Sequence, residues 1–250
     1  MAKLSAHLVE KPWGRTELPP PFGDTGGRRI GELWFDGPAD APLLAKYIFT
    51  SERLSIQVHP NDEQARARGL PRGKSECWFI VDAEPDATIG LGLVREMDAD
   101  ELRGAALDGS IEQLLDWRPV AAGDFFYVPA GTIHAIGGGI SLLEFQQNSD
   151  VTYRLYDYGR PRELHLDDAL AVADRGRYPD GLRRKVSPDE DAVLVDGAQF
   201  RLVHNHSDAM ADRTRWVMPL AGAQSGECLL FQPGERFESD GARVLIGATA

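Results

Sequence analysis

Cysteine is scarce. The chain has 250 residues and two cysteines, Cys77 and Cys228, with no Cys-x-x-Cys pair. Disulfide scaffolds and thiolate zinc clusters are thereby excluded, and a reducing cytoplasmic setting is expected. Positive charge is also short. There are 27 Lys and Arg against 39 Asp and Glu, a formal net charge of −12. That balance disfavours nucleic acid and anionic membrane surfaces as partners. No run of about 18 apolar residues occurs, so no transmembrane helix is expected. The N-terminal stretch MAKLSAHLVEKPWG has no apolar core of the kind a secretory signal needs.

What is present fits a globular domain. Hydrophobic content is 42% and charged content 26%, and the length suits one or two domains with a proper core. The 26 Gly and 16 Pro are spread without a period, which favours many turns and short strands. Strands are expected over Leu43–Phe49, Leu54–Val58, Cys77–Val81, Phe125–Val128, Ser141–Phe145 and Thr152–Tyr156. Between them, Asn61-Asp62-Glu63-Gln64 reads as a capping box opening a short helix to about Arg68. Further helices are expected over Asp98–Leu107, Ser110–Trp117 and Leu166–Asp174. Residues 176–191 turn polar and Pro/Gly-rich and read as a linker. Strand-like stretches resume at Ala192–Val195, Phe200–Val203, Trp216–Pro219, Cys228–Phe231 and Val244–Ile246. The expected organisation is an N-terminal β domain over 1–180, carrying the site and the helical inserts, and a small C-terminal β domain over 181–250.

Four polar residues stand out against these strands. In Leu54-Ser55-Ile56-Gln57-Val58-His59-Pro60, residues two apart share a face, so Ser55, Gln57 and His59 point one way and Ile56 and Val58 the other. Glu76 opens the apolar strand CWFIV directly after a Gly-Lys turn, and a carboxylate there needs a cation. His134 follows Gly123-Asp124 and Pro129-Ala130-Gly131, two tight turns that fix its position. Together Gln57, His59, Glu76 and His134 offer an amide oxygen, two imidazoles and a carboxylate. That donor set suits a borderline divalent metal such as zinc, with room for water or a substrate oxygen. The spacing Gly-x5-Pro-x-Gly-x2-His resembles the second motif of the cupin superfamily, with Gly138 where that motif usually ends in Asn.

Four strings in order, SIQVHPND, GKSECWFIV, VPAGTIHAIG and EFQQNSDVTYRLYDYGR, resemble the type I mannose-6-phosphate isomerases. The likeness runs from Lys11-Pro12-Trp13-Gly14 to the Leu164–Ala173 region and fades over the last sixty or so residues. It implies a mainly β, double-cupin (jelly-roll) fold with short helical inserts. It implies one zinc ion per chain held by Gln57, His59, Glu76 and His134, in the N-terminal cupin. It implies a small phosphosugar as substrate, with mannose 6-phosphate and fructose 6-phosphate interconverted. By the same likeness Arg154 is the catalytic arginine, Lys74 and Glu144 are pocket residues, and Ser55 and Arg160 hold the phosphate.

Such an isomerisation moves a proton between C2 and C1 through an enediol, so the carbonyl must be polarised and a base must reach both carbons. Glu144, Asp150 and Lys74 are the candidate bases. Lys74, Arg154, Arg160 and Arg162 are the local cations available to an anionic substrate in an acidic chain. Three other readings stay open: a cupin oxygenase, a sugar-binding cupin without turnover, and an isomerase of another phosphosugar. Cys77 reads as packing, Trp13 as a core anchor or a wall of the sugar site, and His204-Asn205-His206 as a same-face pair able to bind adventitious metal.

Overall fold

Period-two alternation builds this protein. A computed structural model describes residues 1–205, 210–237 and 243–250; His206 lies outside them. In chain order the elements are β1 (Ala2–Lys3), β2 (Ser5–Arg15), β3 (Ile30–Asp36), β4 (Leu43–Phe49), β5 (Ile56–Val58), α1 (Asp62–Arg66), β6 (Glu76–Ala83) and β7 (Thr88–Leu93). Then come α2 (Ala99–Asp108), α3 (Ile111–Leu114), β8 (Leu115–Pro119), β9 (Asp124–Val128), β10 (His134–Ile136), β11 (Ile140–Gln147), β12 (Tyr153–Tyr156) and α4 (Leu166–Val172). After a 3-10 turn at Asp180–Leu182 follow β13 (Arg183–Lys185), β14 (Ala192–Asp196), β15 (Phe200–His204), β16 (Arg215–Pro219), β17 (Leu229–Phe231) and β18 (Val244–Thr249).

The strands form three antiparallel sheets. A central seven-stranded sheet has the order β13-β9-β6-β11-β4-β3-β2. A five-stranded sheet, β12-β5-β10-β7-β8, lies against one of its faces, and a six-stranded sheet, β1-β17-β16-β18-β15-β14, against the other. The central sheet is therefore buried on both sides, which is why β4 and β11 read as unbroken buried runs. Alternate residues still go to different cores. Ile48, Trp78, Ile80 and Leu142 join Ile89, Leu91 and Ile136 between the first two sheets. Tyr47, Phe49, Phe79 and Phe145 pack instead on Phe200, Trp216, Met218 and Leu245 of the six-stranded sheet. The outer face of the five-stranded sheet (Ile56, Val58, Ala135, Leu155) is covered by α2 and α4 through Leu102, Ala105, Ala169 and Leu170.

Close approach between the sheets sets one sharp requirement. A Cβ at Gly247 would stand 2.3 Å from the Phe145 ring. Gly247→Ala is therefore expected to overpack this contact and cost roughly 1–3 kcal/mol, read as a lower urea midpoint with an unchanged slope.

Several expectations need correction. The helix expected over Ser110–Trp117 stops at Leu114, and Leu115–Pro119 becomes β8, paired with β7. The apolar residues there serve two partners: Ile111 faces the helices, while Leu115 and Trp117 lie beside Gly90. Residues 176–191 are not a free linker. Tyr178 is buried, its hydroxyl donates to the carbonyls of Tyr127 (2.7 Å) and Leu182 (2.9 Å), and β13 pairs with β9. The N-terminal β1 pairs with β17, so the first residues belong to the six-stranded sheet. The capping box stands as expected: Asn61 accepts from the Gln64 amide, and the Gln64 side chain accepts from the Asn61 amide.

Candidate metal centre

The five-stranded sheet brings the first two donors together. Gln57 on β5 lies directly across from His134 on β10, and their Nε2 atoms are 3.3 Å apart. His59, two residues beyond Gln57, turns into the same space, while Ile56 and Val58 go to the helical layer. The central sheet supplies Glu76 from the start of β6. Its Oε1 is 3.3 Å from His134 Nε2, and its Oε2 is 3.6 Å from His59 Nε2. One donor atom from each of His59, Glu76 and His134 lies within 4.8 Å of the others, and all three residues are buried.

Three observations test this cluster against a bound cation. Among the described residues His59 Nε2 is buried with no hydrogen-bond partner, and Glu76 Oε2 has one cation near it, Lys74 Nζ at 3.5 Å; a buried polar nitrogen in that state is costly unless something unseen satisfies it. Their separations also fit. Donors about 2.0–2.2 Å from one tetrahedral ion stand about 3.3–3.6 Å apart, and the imidazoles stand 3.3 and 3.6 Å from one or the other Glu76 oxygen. Protonation fits as well. Burial pushes both imidazoles down, His134 to about 4, so each is neutral at pH 7, the form that binds metal. His134 Nδ1 lies 2.9 Å from the Thr132 carbonyl, which can only accept, so the proton sits on Nδ1 and the Nε2 lone pair faces Glu76. Burial raises the Glu76 carboxyl, against the pull of Lys74 and Lys46. Gln57 joins the set once its amide is turned to point Oε1 at the cluster, with Nε2 then donating to Ser55 Oγ, now 3.0 Å from Oε1.

A cavity opens beside the cluster, and its charge runs against that of the chain. Lys11, Lys46, Lys74, Arg154 and Arg162 line it, against three carboxylates, Glu32, Glu76 and Glu144. Lys46 Nζ is 2.9 Å from Glu144 and 3.9 Å from Glu32. Burial alone would lower this ammonium; Glu144 and Glu32 outweigh burial and hold it above the usual lysine range. Trp78 Nε1 donates to the other oxygen of Glu144 at 3.1 Å. Burial, then the neighbouring Glu76, pushes the Glu144 carboxyl up, so this is a group prepared to hold a proton. Lys46→Met would leave the buried Glu144 without its ammonium, while Glu32 keeps Lys11 at 3.4 Å. It is expected to destabilise by about 3–5 kcal/mol, measured by denaturant unfolding.

Most of the expected site residues meet here. Ser55, Gln57, Lys74, Glu76, Glu144 and Arg154 all line the cavity, with His59 and His134 against Glu76. Two do not. Asp150 is exposed and lies away from the lining. Arg160 points to Glu52 and Asp157, and Arg162 takes the place at the cavity. Trp13 fills both roles considered for it, being buried in the core and part of the wall. Lys46, Glu32 and Lys11 were not anticipated. A lone lysine inside LLAKYIF was the available signal for the first. The Gly138 departure also has a cause: a Cβ there would stand 2.8 Å from the Ser51 carbonyl oxygen.

Two facing antiparallel sheets around a buried His-Glu-His cluster define a cupin-type β fold with a candidate metal centre. No protein-family model matches the chain. Mannose-6-phosphate isomerase ManA of Bacillus subtilis (strain 168) is 47% identical over 146 residues, 56% of this chain and 46% of that protein. The crystal structure of the mannose 6-phosphate isomerase from Bacillus subtilis superposes with a TM-score of 0.68 at 25% identity, over 99% of this chain and 96% of that one. A mannose 6-phosphate isomerase structure with bound zinc and yttrium superposes at 0.67 and 16% identity, over 99% and 98% of the two chains. Over 56–64% of its length the chain is similar to mannose-6-phosphate isomerases, and its fold is theirs. Its aligned region spans about half the length of the curated relatives it matches.

Proposed function

We propose that this chain is a zinc-dependent aldose–ketose isomerase that interconverts mannose 6-phosphate and fructose 6-phosphate through an enediol. The observation that carries this reading is the buried His59, Glu76 and His134 cluster opening onto a cavity where five cations face three carboxylates. Gln57, His59, Glu76 and His134 would hold one ion. The family likeness and the zinc in a structural neighbour favour zinc. When bound, the ion supplies Lewis-acid polarisation of the sugar carbonyl and orients the sugar oxygens.

The chain's own residues supply the rest. Arg154 holds negative charge developing on a sugar oxygen, because it lines the cavity and no carboxylate of the described residues lies within salt-bridge reach of it. Glu144 or Lys74 carries the proton between C2 and C1, since both line the cavity and Asp150 does not. Trp13, Leu54 and Ile136 form the apolar wall that keeps water from the reacting carbons. We further propose a division near residue 180 into a site-bearing N-terminal cupin and a C-terminal β unit. A cytoplasmic setting suits the two free, buried cysteines. No helix of the described residues is long and apolar enough to cross a membrane.

The test is interconversion of the two hexose phosphates by purified protein, with chelator and then with zinc restored. Loss and recovery are expected. A zinc-loaded protein that converts neither sugar contradicts the proposal.

A further inference from the structure

β12 and the segment after it present three arginines, and the structure treats them differently. Arg160 is spent on two carboxylates: its Nη1 donates to Asp157 Oδ1 and its Nη2 to Glu52 Oε2, both at 3.1 Å. Glu52 in turn holds Arg29, at 3.2 Å, from the end of the early Pro/Gly-rich loop. Arg154 and Arg162 instead line the cavity. Arg154 Nε is buried without a hydrogen-bond partner, and among the described residues no carboxylate pairs with this guanidinium. Arg162 is fixed by a two-point contact, Nε to Asp157 Oδ2 at 2.6 Å and Nη2 to Asp157 Oδ1 at 2.7 Å. Asp157 is itself 2% exposed, so it is a rigid anchor. Burial, followed by the adjacent charge of Arg162, holds the Arg154 guanidinium below its usual range. Two like charges held at one cavity are unfavourable until an anion enters beside them.

We infer that Arg162, held in place by the positioning residue Asp157, forms the clamp for the substrate's anionic end beside Arg154, which stays at the reacting end, and that Arg160 serves the outer network linking Asp157 to Glu52 and Arg29. The inference deepens the phosphosugar reading and rests on it for the identity of the anion. It selects for phosphorylated over neutral sugars. A guanidinium in a two-point contact is also not replaceable by an ammonium without loss.

The zinc-loaded wild type, Arg162→Gln, Arg162→Lys, Asp157→Asn and Arg160→Gln proteins are titrated with inorganic phosphate by calorimetry, with unphosphorylated mannose as the neutral control. KM and kcat for mannose 6-phosphate are measured in parallel. Arg162→Gln is expected to weaken phosphate binding and raise KM by about 10- to 100-fold, the worth of one charged hydrogen bond, while kcat changes far less. Arg162→Lys should recover part of the loss. Asp157→Asn should follow Arg162→Gln in KM, and Arg160→Gln should lose less than either. Should Asp157→Asn fail to fold, Arg162→Gln decides, because Arg162 is partly exposed and its removal leaves Arg160 on Asp157. Wild-type turnover with KM and phosphate affinity unchanged in Arg162→Gln, or a larger loss in Arg160→Gln, overturns the clamp and leaves the isomerase reading in place. Phosphate binding that depends on Arg162 in a protein without turnover supports the clamp and removes the isomerase reading.

Discussion

Replacing His59 or His134 by alanine is expected to empty the metal centre and abolish turnover together. Each imidazole offers Nε2 to the same small space around Glu76, at 3.6 and 3.3 Å from its two oxygens. Outer partners of metal ligands are worth about 10–100-fold in metal affinity, so loss of a direct ligand should exceed that. Metal per chain after dialysis, read by elemental analysis, should fall from about one to near zero. Each variant also removes a bulky ring from a buried site, so circular dichroism must show the fold intact. Either variant retaining a full complement of metal would show that the ligands lie elsewhere.

Arg154→Ala should produce the second large effect, and a different one. Among the described residues Arg154 makes no side-chain hydrogen bond or ion pair with the His-Glu-His cluster, and its backbone is tied through the His165 amide, which donates to the Arg154 carbonyl at 2.9 Å. Metal content and fold should therefore stay at wild-type levels. Turnover should fall by about 100- to 1,000-fold, the usual effect of removing one donor to a developing oxyanion. Measured kcat and zinc per chain on the same preparation separate this role from a structural one. Turnover at the wild-type rate would take arginine out of the chemistry.

How much of this was legible in the sequence depends on whether the chain stays in a regular strand. Strand parity alone placed Ser55, Gln57 and His59 on one face, because β5 is regular and Pro60 ends it. Two rigid turns made His134 legible for the same reason. Parity fails where the backbone leaves the strand. Tyr158 and Gly159 both take positive φ, 54° and 76°, so strand parity does not carry past Tyr156; the family likeness gave Arg160, whereas Arg162 lines the cavity. Gly92, at φ 66°, likewise breaks β7, sending Leu91 and Leu93 to different cores. Lys46 stayed hidden because its need for burial comes from Glu32 and Glu144 on strands far away in sequence, at register positions that only sheet pairing brings together. Asp150 sits in the turn before β12, where polarity alone carries no information about direction.

The central claim is that one ion joins Gln57, His59, Glu76 and His134. A crystal grown with zinc and measured at the zinc absorption edge tests it directly. The account predicts one anomalous peak per chain, about 2.0–2.2 Å from a donor atom of each of the four side chains. A peak bound elsewhere, or a zinc-saturated protein with none between these residues, would contradict it.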